Sequence, residues 1–415
     1  MSLLLAISPA PLSAQTAAER PPLPGGARWQ AEMPTHWNGT LLLWSRGYSM
    51  KAGIPEVAPR GAKEALLKAG YALLASDYGS GGWALANAVP AQTEALKAFT
   101  KAYGKPKRVI GWGNSMGGLV TTALAERKGP RVIDGGIAMC ASIGGVVGMM
   151  NMGLDGAFAF RTLVAADAGI ELVNIQQDDM VNGKRVADAV ASAKGTPQGR
   201  ARMALAGVLG GLPGWTSRDS AQPAPDDMDA QALEIASAIP MGLFMPRNDQ
   251  EQRAGGVFSW TAGVDYRAQL ARSGRRALVE ALYAKAGLDL EADLERLNAA
   301  PRITAAPKAV AYMKAHYTPT ARPFVPLLAV QAEGDGMTSP SLQRGYAEAA
   351  SPRVVQSLWL HKAGHCNFTA AEVMAALRQL EARLDSGRWP APAAPFVAHQ
   401  PAPMLRPCVR GGVCR

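Results

Sequence analysis

The pentapeptide Gly113-Asn114-Ser115-Met116-Gly117 constrains this chain more than any other feature. An apolar run, Val109 to Trp112, leads into it, and Leu119 to Glu126 continues from it as a helix pattern. Glycine two positions either side of a serine permits a very tight strand-to-helix turn, in which any side chain would collide with neighbouring backbone. Such a turn holds the serine in a strained conformation with its hydroxyl exposed above a sheet. The backbone N–H of Met116 then sits at a helix N-terminus, placed to stabilise an oxyanion. The bare pattern is weak, because a chain with 44 glycines can match it by chance. Its strand–turn–helix setting gives it meaning; the alternative is a Gly-rich loop with an incidental serine.

The rest of the first third has the same rhythm. Thr40 to Trp44, Tyr71 to Ser76, Lys107 to Trp112 and Val132 to Met139 read as buried strands, and Lys63 to Lys68, Gln92 to Tyr103 and Met116 to Glu126 as helices. Alternation of this kind predicts an α/β fold, a mainly parallel sheet covered by helices on both faces. From 146 to 320 strand signals vanish. Segments such as Gly199–Leu209, Asp229–Ala238, Arg275–Ala286 and Leu290–Asn298 carry Ala and Leu at helical spacing. A helical insertion capping the site is expected there. The rhythm returns with the strand Pro326 to Ala332, a helix from Pro340, the strand Val354 to Leu360, and a long helix opening on the capping-box pattern Thr369-x-x-Glu372. The expected division is a signal peptide over 1–20, core over 21–145, insertion over 146–320, core again over 321–389, and a Pro-rich surface tail over 390–415.

Composition narrows the function classes. With 415 residues, 48% hydrophobic and 18% charged, the chain can bury a large core. The net charge of +10 comes from scattered Lys and Arg without interleaved aromatics, which argues against nucleic-acid binding. Leu3 to Ile7 followed by Leu12-Ser13-Ala14 reads as a secretory signal, although only Met1 and Ser2 precede the run. Secretion or periplasmic export is therefore expected, and no stretch is long and apolar enough to span a membrane. The four cysteines, Cys140, Cys366, Cys408 and Cys414, lack metal-site spacing and would be expected to pair in an exported protein. There is no HExxH and no phosphate-binding Gly-Lys-Ser/Thr loop, so neither metal nor cofactor is expected.

A neutral serine needs a base, usually an imidazole held by a carboxylate. Asp335, in Glu333-Gly334-Asp335-Gly336 at the end of a strand, is the candidate acid, with Glu333 as its rival. His365, beside Gly364 in the loop after the last strand, is the candidate base, with His361 as its rival. The turn Ser45-Arg46-Gly47-Tyr48 after the first core strand should supply a second oxyanion donor, from Gly47 or Tyr48. Asn114 and Trp83 are candidate substrate contacts; core packing is an equal alternative for the tryptophan.

With Ser115, Asp335 and His365 in this order, the chain resembles the α/β-hydrolase superfamily over about residues 35–145 and 322–386. Trp37-Asn38-Gly39-Thr40, Arg46-Gly47-Tyr48 and Gly364-His365-Cys366-x-Phe368-Thr369 look like secreted bacterial esterases and prolyl-oligopeptidase-like hydrolases. Tannase and feruloyl-esterase-like enzymes similarly place a cysteine directly after the catalytic histidine and bond it to one near the serine; here Asn114 precedes Ser115. Cys140 follows a strand and should emerge at the same sheet end as His365, so the expected pairs are Cys140–Cys366 and Cys408–Cys414. The resemblance implies acyl transfer. Hydrolysis of a small-molecule or polymeric carboxylic ester is the first expectation, and serine peptidase or amidase action the second. Asp178, Asp179, Asp226 and Asp227 in the insertion keep recognition of a peptide amino terminus open. A non-catalytic binding protein on the same fold is a third reading. Oligomeric state is not legible.

Overall fold

A computed structural model describes residues 20–53, 55–175, 179–412 and 414. The expected signal segment, apart from Arg20, and Asp178 lie outside these residues. The chain begins with strands β1 (Trp29–Glu32) and β2 (Thr40–Ser45), helix α1 (Arg60–Lys68), strand β3 (Ala72–Ser76) and helix α2 (Leu85–Tyr103). Strand β4 (Arg108–Asn114), helix α3 (Met116–Ala125) and strand β5 (Gly135–Met139) complete the first half. Nine helices follow among the described residues: α4 (Val146–Leu163), α5 (Asp179–Ala193), α6 (Pro197–Leu209), α7 (Met228–Gly242), α8 (Asn248–Ala254), α9 (Tyr266–Arg272), α10 (Arg276–Ala286), α11 (Leu290–Ala299) and α12 (Pro307–Tyr317). The last part comprises β6 (Leu327–Gly334), α13 (Pro340–Ala349), β7 (Val355–Ala363), α14 (Ala370–Ser386) and β8 (Phe396–Val397).

The eight strands form one sheet in the order β1-β3-β2-β4-β5-β6-β7-β8. Its six inner strands run parallel, and β1 and β8 are antiparallel edges. Strands β2, β3 and β5 are buried along their whole length, which explains their unbroken apolar sequences. Alternate residues feed two cores. Leu41 and Leu43 join the cluster on one face, and Leu42 and Trp44 the cluster on the other. The expected strand from Val132 starts later, at Gly135, because Asp134 turns aside to accept the Val109 N–H at 2.8 Å.

Residues 154–303 hold a third core of their own. Helix α4 gave no periodic signal in the sequence because it is apolar on nearly every side; 16 of its residues are buried. Its glycines allow close approach. A Cβ on Gly156 would lie 2.7 Å from the Ala206 carbonyl oxygen on α6.

The C-terminal tail differs from the expected surface strand of chain. Phe396–Val397 adds to the sheet edge, and Met404, Leu405, Arg406 and Cys408 are buried. Arg406 reaches Asp155 on α4 through Nη1, at 3.0 and 2.7 Å from the two carboxylate oxygens. A lone arginine among prolines reads as solvated; its partner stands 251 residues away, where no local pattern reveals it.

Candidate active site

The carboxyl ends of the parallel strands gather the predicted residues. Ser115 stands between β4 and α3 at φ 55°, ψ −124°, a conformation costly for any residue but glycine. The flanking glycines hold it there: a Cβ on Gly113 or Gly117 would lie within 3 Å of the Ser45 carbonyl oxygen. Tyr78, Cys140 and Cys366 also have positive φ, so backbone strain collects at the ends of β3, β4 and β5 and just beyond β7.

Asp335 follows β6 and is fully buried. Its Oδ1 accepts the N–H groups of Met337 and Thr338 at 2.8 and 2.9 Å. Its Oδ2 accepts from His365 Nδ1 at 2.8 Å. A carboxylate can only accept, so the proton lies on Nδ1 and Nε2 is left to accept from Ser115 Oγ, 3.0 Å away. Burial lowers the His365 pKa, but the charge and hydrogen bond of Asp335 outweigh it, and the net shift is upward.

The rival residues pair with one another instead. Glu333 still lies in β6, and its Oε2 is 2.7 Å from His361 Nδ1 on the exposed side of β7. Its Oε1 is 3.4 Å from His399 Nδ1. His36 and His316 are exposed.

Cys140 and Cys366 form a disulfide, as do Cys408 and Cys414. The first ties the end of β5 to the residue after His365. Cys140, His365 and Cys366 lie close enough together to suggest a metal site, but both sulfurs are committed to that bond.

Met116 opens α3, so its N–H has no carbonyl four residues back within the helix. Gly47 packs against the serine: a Cβ there would stand 3.4 Å from Ser115 Cβ and 4.0 Å from Oγ. Tyr48 is half-buried with its ring 5.8 Å from that of Trp83. Trp83 is itself buried in the core cluster, and its Nε1–H has no partner among the described residues; the Asn114 Oδ1 is likewise unpaired. Two of the insertion acids, Asp179 and Asp227, hold helix ends: Asp179 accepts the Asn248 N–H that opens α8, and Asp227 caps α7.

Three contributors were missed in the sequence. Thr338 Oγ1 lies 2.9 Å from Asp335 Oδ2, 2.9 Å from the Cys140 carbonyl and 3.2 Å from His365 Nδ1. The Asp-x-x-Thr turn spacing was its only local sign. Gln92, buried in α2, donates to the Trp44 carbonyl and Ser45 Oγ at 2.6 and 2.9 Å. Arg46 donates to three backbone carbonyls around the turn that carries Gly47.

No family model matches the chain. An o-phthalyl amidase from Xanthobacter agilis is 31% identical over 405 residues, covering 89% of this chain and 87% of that protein. Among solved structures, feruloyl esterase B from Aspergillus oryzae matches at 13% identity over 88% of this chain and 78% of its own, with a TM-score of 0.42. Pyrococcus horikoshii acylaminoacyl peptidase matches at 10% identity over 89% of this chain and 41% of its own, with a TM-score of 0.36.

Proposed function

Because the chain belongs to the α/β-hydrolase superfamily, we propose that it is a serine hydrolase cleaving carboxylic ester and amide bonds through an acyl-enzyme on Ser115. One observation carries this reading: the unbroken line from buried Asp335 through His365 to Ser115 Oγ, at 2.8 and 3.0 Å. His365 Nε2 takes the serine proton as Oγ attacks the carbonyl carbon. The imidazolium, held by Asp335, then gives that proton to the departing alcohol or amine. Water, deprotonated by the same nitrogen, releases the acid and restores Ser115. Charge on the tetrahedral oxygen falls to the Met116 N–H and to a donor from the Gly47–Tyr48 turn.

The amidase relative favours an amide of an aromatic acid as the physiological bond, ahead of the ester that the sequence suggested first. Amides demand more of the acid step, since an amine leaves only when protonated, and His365 Nε2, 3.0 Å from Ser115 Oγ, is placed to make that donation once it holds the serine proton. Residues 146–320 serve as the cap in this reading. The two disulfides support an oxidising compartment, secreted or periplasmic. No helix among the described residues is long and apolar enough to cross a membrane.

The test is hydrolysis of an o-phthalyl anilide beside p-nitrophenyl acetate by wild type and Ser115→Ala. Turnover of either that disappears in the variant supports the reading. Turnover that survives in the variant, or none in the wild type, overturns it.

A further inference from the structure

Arg46 occupies the turn after β2, one residue before the glycine that packs on Ser115. Its Nη1 donates to its neighbour's carbonyl, Gly47 O, at 3.0 Å. Its Nη2 donates to the Asp77 and Ser80 carbonyls at 3.1 and 2.7 Å, in the loop after β3. The guanidinium lies over the buried Tyr78 ring, 4.6 Å from its centre, and the Tyr78 hydroxyl donates back to the Arg46 carbonyl at 3.1 Å. The nearby Asp77 carboxylate is already engaged by Arg28 and by the Gly79 N–H. Arg46 therefore spends its donors on peptide dipoles. Arg253 of α8 grips the same loop from the other side, donating to Ser80 Oγ and the Gly81 carbonyl.

The peptide that joins Gly47 to Tyr48 is planar and trans, so its C=O and N–H point in opposite directions. A cation hydrogen-bonded to Gly47 O fixes the plane of that unit and polarises its N–H, which belongs to Tyr48. Resting on the acyl-enzyme reading above, we infer that Arg46 is a positioning residue of the oxyanion site: it holds the Gly47–Tyr48 peptide so that the Tyr48 N–H is the second donor, opposite Met116. The inference takes Tyr48, rather than Gly47, as the donor from this turn, a choice that the sequence left open. It also explains a cation in a turn that meets no carboxylate there.

The test uses the full chain carrying Arg46→Gln, which loses the charge, and Arg46→Lys, which loses the planar fork. Removing one oxyanion donor outright costs about 100- to 1,000-fold in kcat, so disturbing one is expected to cost roughly 10- to 100-fold. KM for p-nitrophenyl acetate should stay within about threefold, because the contact matters in the transition state. Affinity for phenylboronic acid, which forms a tetrahedral adduct on serine, should fall in step with kcat/KM, while the acid limb of the pH profile stays in place. Partial recovery in Arg46→Lys relative to Arg46→Gln is expected, and Arg46→Lys decides the matter should the glutamine variant fail to fold. Unchanged kcat, or a kcat loss without loss of boronate affinity, would overturn the inference. Activity persisting in Ser115→Ala would instead overturn the acyl-enzyme reading itself.

Discussion

At the scale of single residues, the site is a problem in proton placement. His365 must be neutral at Nε2 to accept from Ser115, and Asp335 stabilises its charged form. Because the shift is upward from 6.5, the acid limb of kcat/KM is expected to have its midpoint above pH 6.5; a midpoint at or below that value would contradict it. The sign for stability follows from the same shift. The raised folded pKa gives a contribution fully present below the unfolded value, and it fades as pH rises through the folded one. Thr338 sits behind this pair. Thr338→Val keeps the shape but removes a hydrogen bond to a buried carboxylate, an interaction of about 1.5–3 kcal/mol. A fall in kcat of roughly tenfold is expected, in a variant whose circular dichroism matches wild type.

At the scale of elements, the histidine loop is short, strained and joined to another strand end. Gly364 and Cys366 both have positive φ, so local sequence alone does little to hold His365 in place. The Cys140–Cys366 bond supplies a constraint across 226 residues of sequence. Replacing both cysteines by alanine should lower stability by about 2–5 kcal/mol in urea unfolding. The loss of kcat at a temperature where the variant is fully folded should exceed that of the matched Cys408→Ala/Cys414→Ala pair. Equal activity in the two variants would show that the bond serves stability only. The capping box at Thr369 and Glu372 fixes the other end of this loop as α14 begins.

At the scale of the whole molecule, a buried ion pair ties the tail to helix α4. Arg406 and Asp155 are almost completely excluded from solvent, and Gln269 and Tyr266 also donate to the carboxylate. Burial pushes the Asp155 carboxyl up to about 6, against the opposing pull of Arg406. Arg406→Met leaves that carboxylate buried without its cation, and a loss of about 3–5 kcal/mol is expected in urea unfolding. The loss should be largest above pH 7 and shrink towards pH 5, because a raised carboxyl pKa favours folding at low pH and that contribution is lost as pH rises through about 6. A pH-independent loss would point to packing alone.

Local chemistry made much of this legible in the sequence. The glycines around Ser115, the apolar runs of the parallel strands, and the positions of Asp335 and His365 at strand ends follow from backbone sterics and burial acting over a few residues. The edge strands, helix α4 and the buried tail escaped, because short strands, all-apolar helices and isolated charges carry no periodic signal. The roles of Gln92 and Arg46 lay beyond any reading of the chain, and that of Thr338 left only a turn spacing as its sign. Each depends on which carbonyl or carboxylate an unrelated segment brings within about 3 Å, and that proximity exists only once the sheet has stacked the loops at one end.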